Sequence, residues 1–536
     1  QVLPLTIAGV AAGRLTFPRR GTAQAPVRLG SASAYGQALK DLGIQGEPRL
    51  RRRDIQLRVV AEAKKAGGRA MVGPDLLGIV TNLVEIPGCF AGEYPEVFLE
   101  LPPEVLTTTL KHHQRCFSVQ DGGGNLLPRF VAVVNRPDDP EGLVRTGYQR
   151  VIAGRLADAR FFYMEDRKQP LESRIEVLER TRLHPRLGSY AAKIRRQDQL
   201  VIDLCRWVEA DETTVLHCRR AARLAKCDLA TQVENEFPEL QGRVGGIYAR
   251  EEGEPAPVWQ AIYDQYLPAG LEDQLPRGLV GSLLSVADRA DLLVGLMGVG
   301  VVPKGSRDPF ALRRSALGLV RILVERSLHL SVRGLLARAL ELFTQQKVEW
   351  QLAPDEIVDR VSGFVAGRLQ FLLERRKDYR YDSIAAVMAA GGDDPADAAA
   401  RLEALTEIRK QEDFLALVGA AKRIRNILKQ AGSDLHQPQL GKVDEALLTE
   451  TAEKDLLDAT RRVRRLVTDC LKSRDHGGAL RAMASLGPQV DRFFDTVLVM
   501  AGDERTRRQR LALLATIAGL YQEEADFAEI VVEGSR

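Results

Sequence analysis

Residues 223–250 read R-L-A-K-C-D-L-A-T-Q-V-E-N-E-F-P-E-L-Q-G-R-V-G-G-I-Y-A-R and decide how the middle of the chain folds. Apolar residues recur at helical spacing on the way into this stretch, which predicts a buried helix from Leu216 to Leu229. A turn rich in Gly and Pro follows that helix. Lys226, Cys227 and Asp228 stand side by side near its end, so the interpretation of the region depends on these three side chains.

The Cys227-Asp228 pair resembles the adjacent His and Asp of HD-type phosphohydrolases, in which a divalent cation activates water. Further carboxylates follow at helical spacing in Ala-Asp-Arg-Ala-Asp, and His217 lies upstream. A neutral thiol is a poor ligand for a hard cation, and Lys226 places a positive charge beside it. We therefore predict degenerate positions that hold no metal, namely Cys227, Asp228, Asp288 and Asp291. In the alternative without any chemistry, these aspartates cap or pair within packed helices.

The composition is that of a soluble globular protein. The chain has 536 residues, of which 45% are hydrophobic and 28% charged, and it is long enough for about three or four domains. No apolar run approaches the roughly 18 residues of a membrane span, and no basic segment precedes an apolar one at the N-terminus, so we expect a cytoplasmic protein. Six scattered cysteines without C-x-x-C spacing predict reduced thiols.

The first predicted domain, residues 1–165, mixes strand and helix patterns. Position 1 is Gln and the segment Leu5 to Gly13 starts in the middle of an apolar pattern, so we expect preceding residues to be missing. A β-hairpin is predicted around the turn-forming run Asp121 to Asn125. The predicted strands are Val97–Leu101, Arg115–Val119 and Pro128–Val134.

A short helix is predicted over Pro103 to His113, with Glu104 in its first turn. It carries His112 and His113 towards the base of the hairpin, where they are candidates for a site. The alternative, which we prefer, is that the imidazoles lie at the helix C-terminus because the helix dipole favours a cation there.

From Tyr148 the pattern turns helical and stays helical to the C-terminus. The run Gly295 to Gly300 has neither the order of a P-loop nor the strand-then-helix context of a dinucleotide site, so neither ATP nor NAD is predicted from it. The linker Gly391 to Pro395 separates residues 166–390 from a final domain, residues 391–536. The fold class is therefore mostly α, with an α/β region at the N-terminus.

Two groups of basic residues are candidates for phosphate binding. Asp308 predicts the start of a helix over residues 309 to about 326, and four cations surround that start: Lys304, Arg307, Arg313 and Arg314. In the last domain, three clusters recur on helices: Lys422-Arg423-Ile-Arg425-Asn426, Arg461-Arg462-Val-Arg464-Arg465 and Arg505-Thr-Arg507-Arg508-Gln-Arg510. For both groups the alternative is an ordinary solvated helix face with local salt bridges.

Six motifs together resemble the β subunit of bacterial glycyl-tRNA synthetase. The resemblance runs from near residue 17 to the C-terminus, although residues 18–25 differ from the usual Gly-His-Arg-Phe segment of the family. The motifs are L-P-P-E-V-L-T-T-T-L-K-H-H-Q-R-C-F-S-V, G-N-L-L-P-R-F-V-A-V-V-N, R-L-A-D-A-R-F-F-Y-M-E-D, L-A-K-C-D-L-A-T-Q-V-E-N-E-F-P-E-L-Q-G, S-R-D-P-F-A-L-R-R and F-F-D-T-V-L-V-M.

This resemblance implies the non-adenylating subunit of a two-component glycine–tRNA ligase, with an HD-like helical middle domain and a C-terminal anticodon-binding domain. A separate α subunit would bind ATP, Mg²⁺ and glycine, so this chain would have no cofactor and no catalytic residue. The implied partners are the α subunit and tRNA(Gly) in an α2β2 heterotetramer, with no membrane.

The residues expected to contact tRNA come from both basic groups. They are Lys422, Arg423, Arg425, Asn426, Arg505, Arg508 and Arg510, with Lys304, Arg307, Arg313 and Arg314 as weaker candidates. Two other functions remain open from the sequence. One is a metal-dependent HD-type phosphohydrolase with Asp228 and Asp291 as ligands, and the other is a structural partner that only stabilises the catalytic subunit.

Overall fold

The computed structural model describes residues 2–19, 24–343, 348–411, 413–432 and 443–531. The fold is mostly α-helical with a small sheet region near the N-terminus, as predicted. By their internal contacts the residues group into two compact units, Gln1–Leu178 with Leu224–Glu254 and Glu179–Arg223 with Pro255–Arg536. No helix in the described ranges is long and apolar enough to cross a membrane. The unusual segment at residues 18–25 includes residues 20–23, which lie outside the described residues.

The helices and strands have the following bounds, in chain order. The strands are β1 (Thr6–Ile7), β2 (Val10–Ala11), β3 (Leu15–Thr16), β4 (Val27–Arg28), β5 (Arg69–Ala70), β6 (Gly88–Glu93), β7 (Phe117–Gln120), β8 (Leu126–Val134), β9 (Arg182–His184) and β10 (Gly188–Ser189). The helices are α1 (Tyr35–Asp41), α2 (Pro48–Lys65), α3 (Pro74–Leu83), α4 (Pro103–Thr108), α5 (Leu143–Asp166), α6 (Ile175–Leu178), α7 (Tyr190–Trp207), α8 (Glu212–Leu224), α9 (Gln232–Glu236), α10 (Arg243–Glu251), α11 (Ala256–Asp264), α12 (Gly278–Gly298), α13 (Leu312–Glu325), α14 (Val332–Leu342), α15 (Pro354–Glu374), α16 (Tyr381–Ala390), α17 (Pro395–Ile408), α18 (Asp413–Gln430), α19 (Thr451–Lys472), α20 (His476–Ala484), α21 (Gly487–Thr496) and α22 (Glu504–Gln522).

The first unit is built on a four-stranded antiparallel sheet in the order β5-β7-β8-β6. Helix α2 presents Ile55, Val59 and Ala63, one residue per helical turn, and these pack with α3 and with inward-facing residues of the sheet such as Val119 and Val131. The apolar face of the helix and the inward-facing alternate residues of the strands therefore form one core.

The predicted hairpin is confirmed, because β7 and β8 pair antiparallel around Asp121 to Asn125. The Asp121 carboxylate accepts the backbone N–H groups of Gly123 at 2.8 Å and Asn125 at 2.9 Å, which fixes the turn. The predicted strand at Val97–Leu101 is wrong, because Glu96–Glu100 is a 3₁₀ helix. Prolines flank this segment at both ends, and proline cannot donate to a β ladder.

The predicted helix over Leu216 to Leu229 is also corrected. Helix α8 ends at Leu224, and residues Cys227–Ala230 form a separate 3₁₀ turn. Leu216 is 65% exposed, so the apolar face does not include it. The Thr231 hydroxyl and backbone N–H both donate to the Asp228 carbonyl, at 2.7 and 2.9 Å, which favours a turn over a continued helix.

The second unit surrounds α12, whose side chains are buried over most of its length. Helices α7, α11, α13, α14 and α15 pack directly against it. From α13 the packing continues through α17 to α20, and the helices α18 to α22 form the C-terminal bundle. The predicted linker, Gly391 to Pro395, is the short loop between α16 and α17, and Asp394 caps α17 by accepting the N–H groups of Ala396 and Asp397.

Helix α13 starts three residues later than predicted, at Leu312. Asp308 is still the side chain that satisfies its first N–H groups, because the carboxylate accepts from Leu312 at 2.8 Å and Arg313 at 2.9 Å. Ala311 has φ 54°, so the chain turns sharply between the capping residue and the helix.

Candidate nucleic-acid interface

Helix α18 carries the first basic cluster on its solvent side. Its other side buries Leu417, Ile424 and Leu428 at helical spacing, so residues between them project outwards. Arg423 and Asn426 are exposed, and Lys422 and Arg425 are half-buried. The four residues therefore lie on one accessible surface of the C-terminal bundle.

Arg423 is held against helix α21. Its guanidinium lies 3.0 Å from a carboxylate oxygen of Asp491 and 3.8 Å from one of Asp495, and its central carbon is 4.7 Å from the centre of the Phe494 ring. An arginine fixed in this way can stack on a base, although a phosphate must compete with Asp491 for its guanidinium.

Arg425 has a different role, because it pairs with carboxylates near the C-terminus. Its guanidinium lies 3.0 Å from Glu529 and 3.4 Å from Asp526. These two carboxylates neutralise the positive charge of Arg425. Arg425 therefore ties α18 to the 3₁₀ turn Phe527–Glu529, which we call the C-terminal turn, and any phosphate must compete with two carboxylates for Arg425.

Helix α22 begins with the third basic cluster. Arg505 and Arg508 are exposed, which fits a phosphate contact. Arg510 is 7% exposed, pairs with the buried Glu453 and donates to the Leu498 carbonyl at 2.8 Å. Arg510 would have to break this buried pair to reach RNA, so we take it out of the set of candidate contacts. The sequence missed this because Glu453 lies 57 residues away.

The second cluster lies on α19, which was not assigned contact residues. Arg461, Arg462, Arg464 and Arg465 are all exposed. Arg461 pairs with Glu445 at 2.9 Å, and Arg464 donates to the Thr516 carbonyl at 3.2 Å. On the exposed face of α19, some arginines therefore already have partners within the protein.

The weaker candidates lie at the entry to α13. Backbone bonds of 3.1 and 2.9 Å link Lys304 and Arg307 in a tight turn, and both side chains are exposed. Arg314 is exposed and Arg313 is half-buried. These positions form an accessible basic rim beside the helix start, as the sequence suggested.

The four HD-like positions are divided between the two units and are described one unit at a time. Cys227 and Asp228 belong to the first unit, and Asp288 and Asp291 belong to the second. Asp228 is fully buried and accepts the Gly242 N–H at 2.5 Å, and burial raises its pKa to about 6. Within the described ranges, no group of three or more His, Cys, Asp or Glu residues is placed to hold a metal ion.

Asp288 and Asp291 are occupied by cations and an amide from α7. The Lys193 ammonium lies 2.9 Å from Asp291 and 3.2 Å from Asp288, Arg196 lies 2.5 Å from Asp291, and Gln197 donates to Asp288 at 2.7 Å. Burial alone would raise the pKa of Asp291, but Lys193 and Arg196 outweigh it and lower the pKa. The network fixes α7 on α12, and nothing in the local sequence pattern singled out its basic half.

His112 and His113 form part of the packing of the first unit. They lie in a π-helical turn, Thr109–His113, directly after α4. His112 Nδ1 lies 3.4 Å from Glu239, and the His113 ring packs 4.9 Å from that of Phe237. Burial lowers the pKa of His112. These contacts give both rings a role in packing, whereas the lowered pKa of His112 does not favour the cation at the helix C-terminus that the preferred interpretation expected.

The helical C-terminal bundle belongs to a known class of domain, the helical anticodon-binding domains, because it matches the model of that class. Residues 417–523 match the family model described as DALR anticodon binding domain. Residues 1–389 match the family model described as Glycyl-tRNA synthetase beta subunit. The chain belongs to the glycyl-tRNA synthetase beta subunit family.

Curated relatives agree with this assignment. The glycine–tRNA ligase beta subunit of Moorella thermoacetica is 40% identical over 532 residues, which are 99% of this chain and 76% of the relative. The protein of the same name from Anaeromyxobacter dehalogenans strain 2CP-C is 41% identical over 526 residues, covering 98% of this chain and 74% of the relative. The one from Acidobacterium capsulatum is 39% identical over 543 residues, covering 99% and 76%.

Proposed function

We propose that this chain binds tRNA(Gly) and positions its acceptor end for aminoacylation at an active site formed by a separate α subunit. The match of residues 417–523 to an anticodon-binding domain carries the proposal. The exposed residues Arg423, Arg505 and Arg508 on that domain support it, because guanidinium groups are suited to both phosphates and base faces.

The same proposal assigns the adenylation chemistry to the partner. ATP, Mg²⁺ and glycine would bind to the α subunit, and this chain would contribute tRNA affinity without a cofactor of its own. An α2β2 assembly and a cytoplasmic location are parts of this proposal. The mass of the complex in solution, measured after mixing the two purified subunits, tests the stoichiometry.

The decisive experiment measures glycine charging of tRNA(Gly) by the α subunit with and without this chain. We expect charging to require the chain, while glycine-dependent exchange of pyrophosphate into ATP proceeds with the α subunit. Equal charging without the chain would contradict the proposal. Charging that needs the chain, combined with no tRNA binding by the isolated chain, would instead support the structural-partner alternative.

The hydrolase alternative gains no specific observation in its favour. Its two ligand candidates have other partners, since Asp228 accepts a backbone N–H and Asp291 is paired with Lys193 and Arg196. A carboxylate already neutralised by two buried cations is a poor ligand for a further cation.

A further inference from the structure

Helix α15 displays arginines and phenylalanines alternately along one face. Phe364, Arg368, Phe371 and Arg375 are spaced by three or four residues, so they are neighbours on the helix surface. The Arg368 guanidinium carbon lies 5.9 Å from the centre of the Phe364 ring and 5.6 Å from that of Phe371, and Arg375 lies 5.0 Å from Phe371. We call these four residues the arginine–aromatic ladder.

The helix ends in a strongly basic segment. Residues 375–380, which we call the basic turn, read R-R-K-D-Y-R and contain four cations and one acid. Arg375, Arg376 and Lys377 are exposed. Over the described part of the chain, none of these three forms an ion pair, in contrast to Arg423 and Arg425.

Ordinary helix energetics do not account for this concentration of charge. Cations near a helix C-terminus gain about 0.3–1 kcal/mol from the dipole, and the gain fades within one turn. One cation would be enough to interact with the helix dipole, whereas the basic turn has four cations within six positions. Arg380 pairs with Asp382 at 3.6 Å, whereas Arg375, Arg376 and Lys377 are adjacent cations that repel one another, so an anionic partner would stabilise this segment.

The ladder also keeps its central charge available. Arg368 is stacked between two rings, and its buried Nε has no hydrogen-bond partner among the described residues. Stacking on an aromatic face holds a guanidinium in place and leaves its positive charge uncompensated. A carboxylate, by contrast, would have cancelled it.

The basic turn is linked through α16 to residues that flank the matched helices on both sides. It leads into α16, where the buried Asp382 accepts from Arg409 at 2.9 and 3.0 Å and from the Val531 N–H at 2.8 Å. Residue 531 closely follows the C-terminal turn, whose Glu529 pairs with Arg425 of α18. The basic turn and the first basic cluster are therefore joined through these hydrogen bonds and ion pairs. The basic turn itself lies outside the matched residues 417–523.

We propose that the arginine–aromatic ladder and the basic turn form an additional RNA-contact surface for the tRNA. Phosphates beside the anticodon arm lie on Arg375, Arg376 and Lys377, and an unpaired nucleotide stacks on Tyr381, which is 70% exposed directly after the turn. This inference rests on the proposed tRNA-binding function and adds a site to it.

The test compares tRNA binding by the full chain and by the triple variant R375Q/R376Q/K377Q over a range of salt concentrations. We expect the slope of log affinity against log salt to fall by about two to three units, because each lost phosphate contact removes roughly 0.7–0.9. The matched control is K168Q/K410Q/K472Q, which removes the same charge from exposed lysines already paired with Glu165, Glu407 and Asp469. The control should keep most of the slope.

A second pair of variants tests the stacking step. Tyr381→Ala should weaken tRNA binding by about tenfold, and Tyr381→Phe should preserve it, because stacking depends on the ring and not on the hydroxyl. Equal affinity of the alanine variant and the wild type would remove Tyr381 from the interface.

The outcomes separate this inference from the proposed function. If the wild-type chain binds tRNA and the triple variant binds with the same affinity and slope, the additional surface is excluded while the proposed function stands. If the triple variant keeps its tRNA affinity but no longer associates with the α subunit, the surface is a protein interface and the inference is overturned. If the wild-type chain does not bind tRNA, the result contradicts both the additional surface and the proposed function.

Discussion

The surroundings of individual residues decide which charged side chains are free to contact RNA and which stabilise the fold. Arg423, Arg425 and Arg510 are equivalent in the sequence pattern, yet their surroundings differ. Arg423 is exposed, lies over Phe494 and pairs with Asp491, Arg425 pairs with Glu529 and Asp526, and Arg510 is buried against Glu453. Their different surroundings come from residues far away in the chain, and burial takes Arg510 furthest from any contact with RNA. The same distinction applies to carboxylates, of which Asp166 is the clearest example.

Asp166 joins three segments of the first unit, and its loss should be costly. The buried carboxylate accepts the N–H groups of Gln232 and Val233 at 2.9 Å each and the Tyr248 hydroxyl at 3.1 Å, and it lies 3.2 Å from Arg174. Asp166→Ala should lower the free energy of unfolding by about 3–5 kcal/mol, because a buried cation is left without its counterion. Urea denaturation measures this loss.

The control for that substitution lies on the same helix. Asp158 of α5 is exposed, so Asp158→Ala should change the free energy of unfolding by less than about 0.5 kcal/mol. Equal effects of the two substitutions would mean that the buried hydrogen bonds of Asp166 contribute little.

His476 lies in a buried cluster of charged groups in the second unit. Its Nδ1 lies 2.9 Å from Glu524, and Asp397 and Arg401 of α17 also face it. Burial alone would lower the pKa of His476, but Glu524 and Asp397 outweigh it and raise the pKa above the ordinary 6.5. Burial raises the pKa of Glu524 too.

The sign of the effect follows from proton binding. Because the folded state holds the His476 proton more tightly, its stabilisation is complete below pH 6.5 and is lost as the pH rises through the raised value. The melting temperature should therefore fall above pH 6.5, and His476→Gln should reduce that fall. A wild-type melting temperature that stays level or rises over this range would contradict the assignment.

Among the elements, the α12–α13 contact depends on a missing side chain. Gly318 of α13 lets the buried guanidinium of Arg289 approach, since a Cβ at this position would lie 2.5 Å from the guanidinium carbon. Arg289 is fixed there by the Tyr266 and Pro268 carbonyls, each at 3.0 Å. Burial lowers its pKa to about 10.

Gly318→Ala should therefore lower the free energy of unfolding by about 1–3 kcal/mol, through overpacking. Gly363→Ala is the matched control, because α15 leaves open space around that position. There alanine should stabilise by up to about 1 kcal/mol through its helix propensity. Chemical denaturation of both variants measures the pair, and a stabilising effect at position 318 would show that Arg289 can move aside.

Elements with strong local signals were predicted well. The hairpin formed because Asp121 and its glycines specify a turn, and α13 formed because Asp308 offers its carboxylate to the first N–H groups. The elements predicted wrongly, the strand at Val97–Leu101 and the helix through Leu229, both lie where flanking prolines or side-chain hydrogen bonds compete with the regular pattern.

At the scale of the whole molecule, tRNA affinity should depend on exposed cations of the C-terminal bundle. Replacing Arg505 and Arg508 together by glutamine should weaken tRNA binding and reduce the salt slope by about one unit per contact. Filter binding over a range of salt concentrations measures both quantities.

Arg461→Gln serves as the comparison for this double variant, because Arg461 is already paired with Glu445. The Arg461→Gln substitution should reduce the salt slope less than replacement of Arg505 alone. An unchanged slope in the double variant would remove α22 from the interface without affecting the assignment of the family.

The sequence by itself determined the mostly helical fold, the hairpin, the capping residues and the family, because helical periodicity, turn chemistry and long motifs are encoded among neighbouring residues. Only the tertiary structure decided which charged side chains are paired within the protein and which are exposed to a ligand. The Arg425–Glu529 pair spans 104 residues, and the Lys193–Asp291 pair spans 98. Ion pairing depends on distances of a few ångströms in space, and residues this far apart in sequence acquire such distances only when the chain has folded.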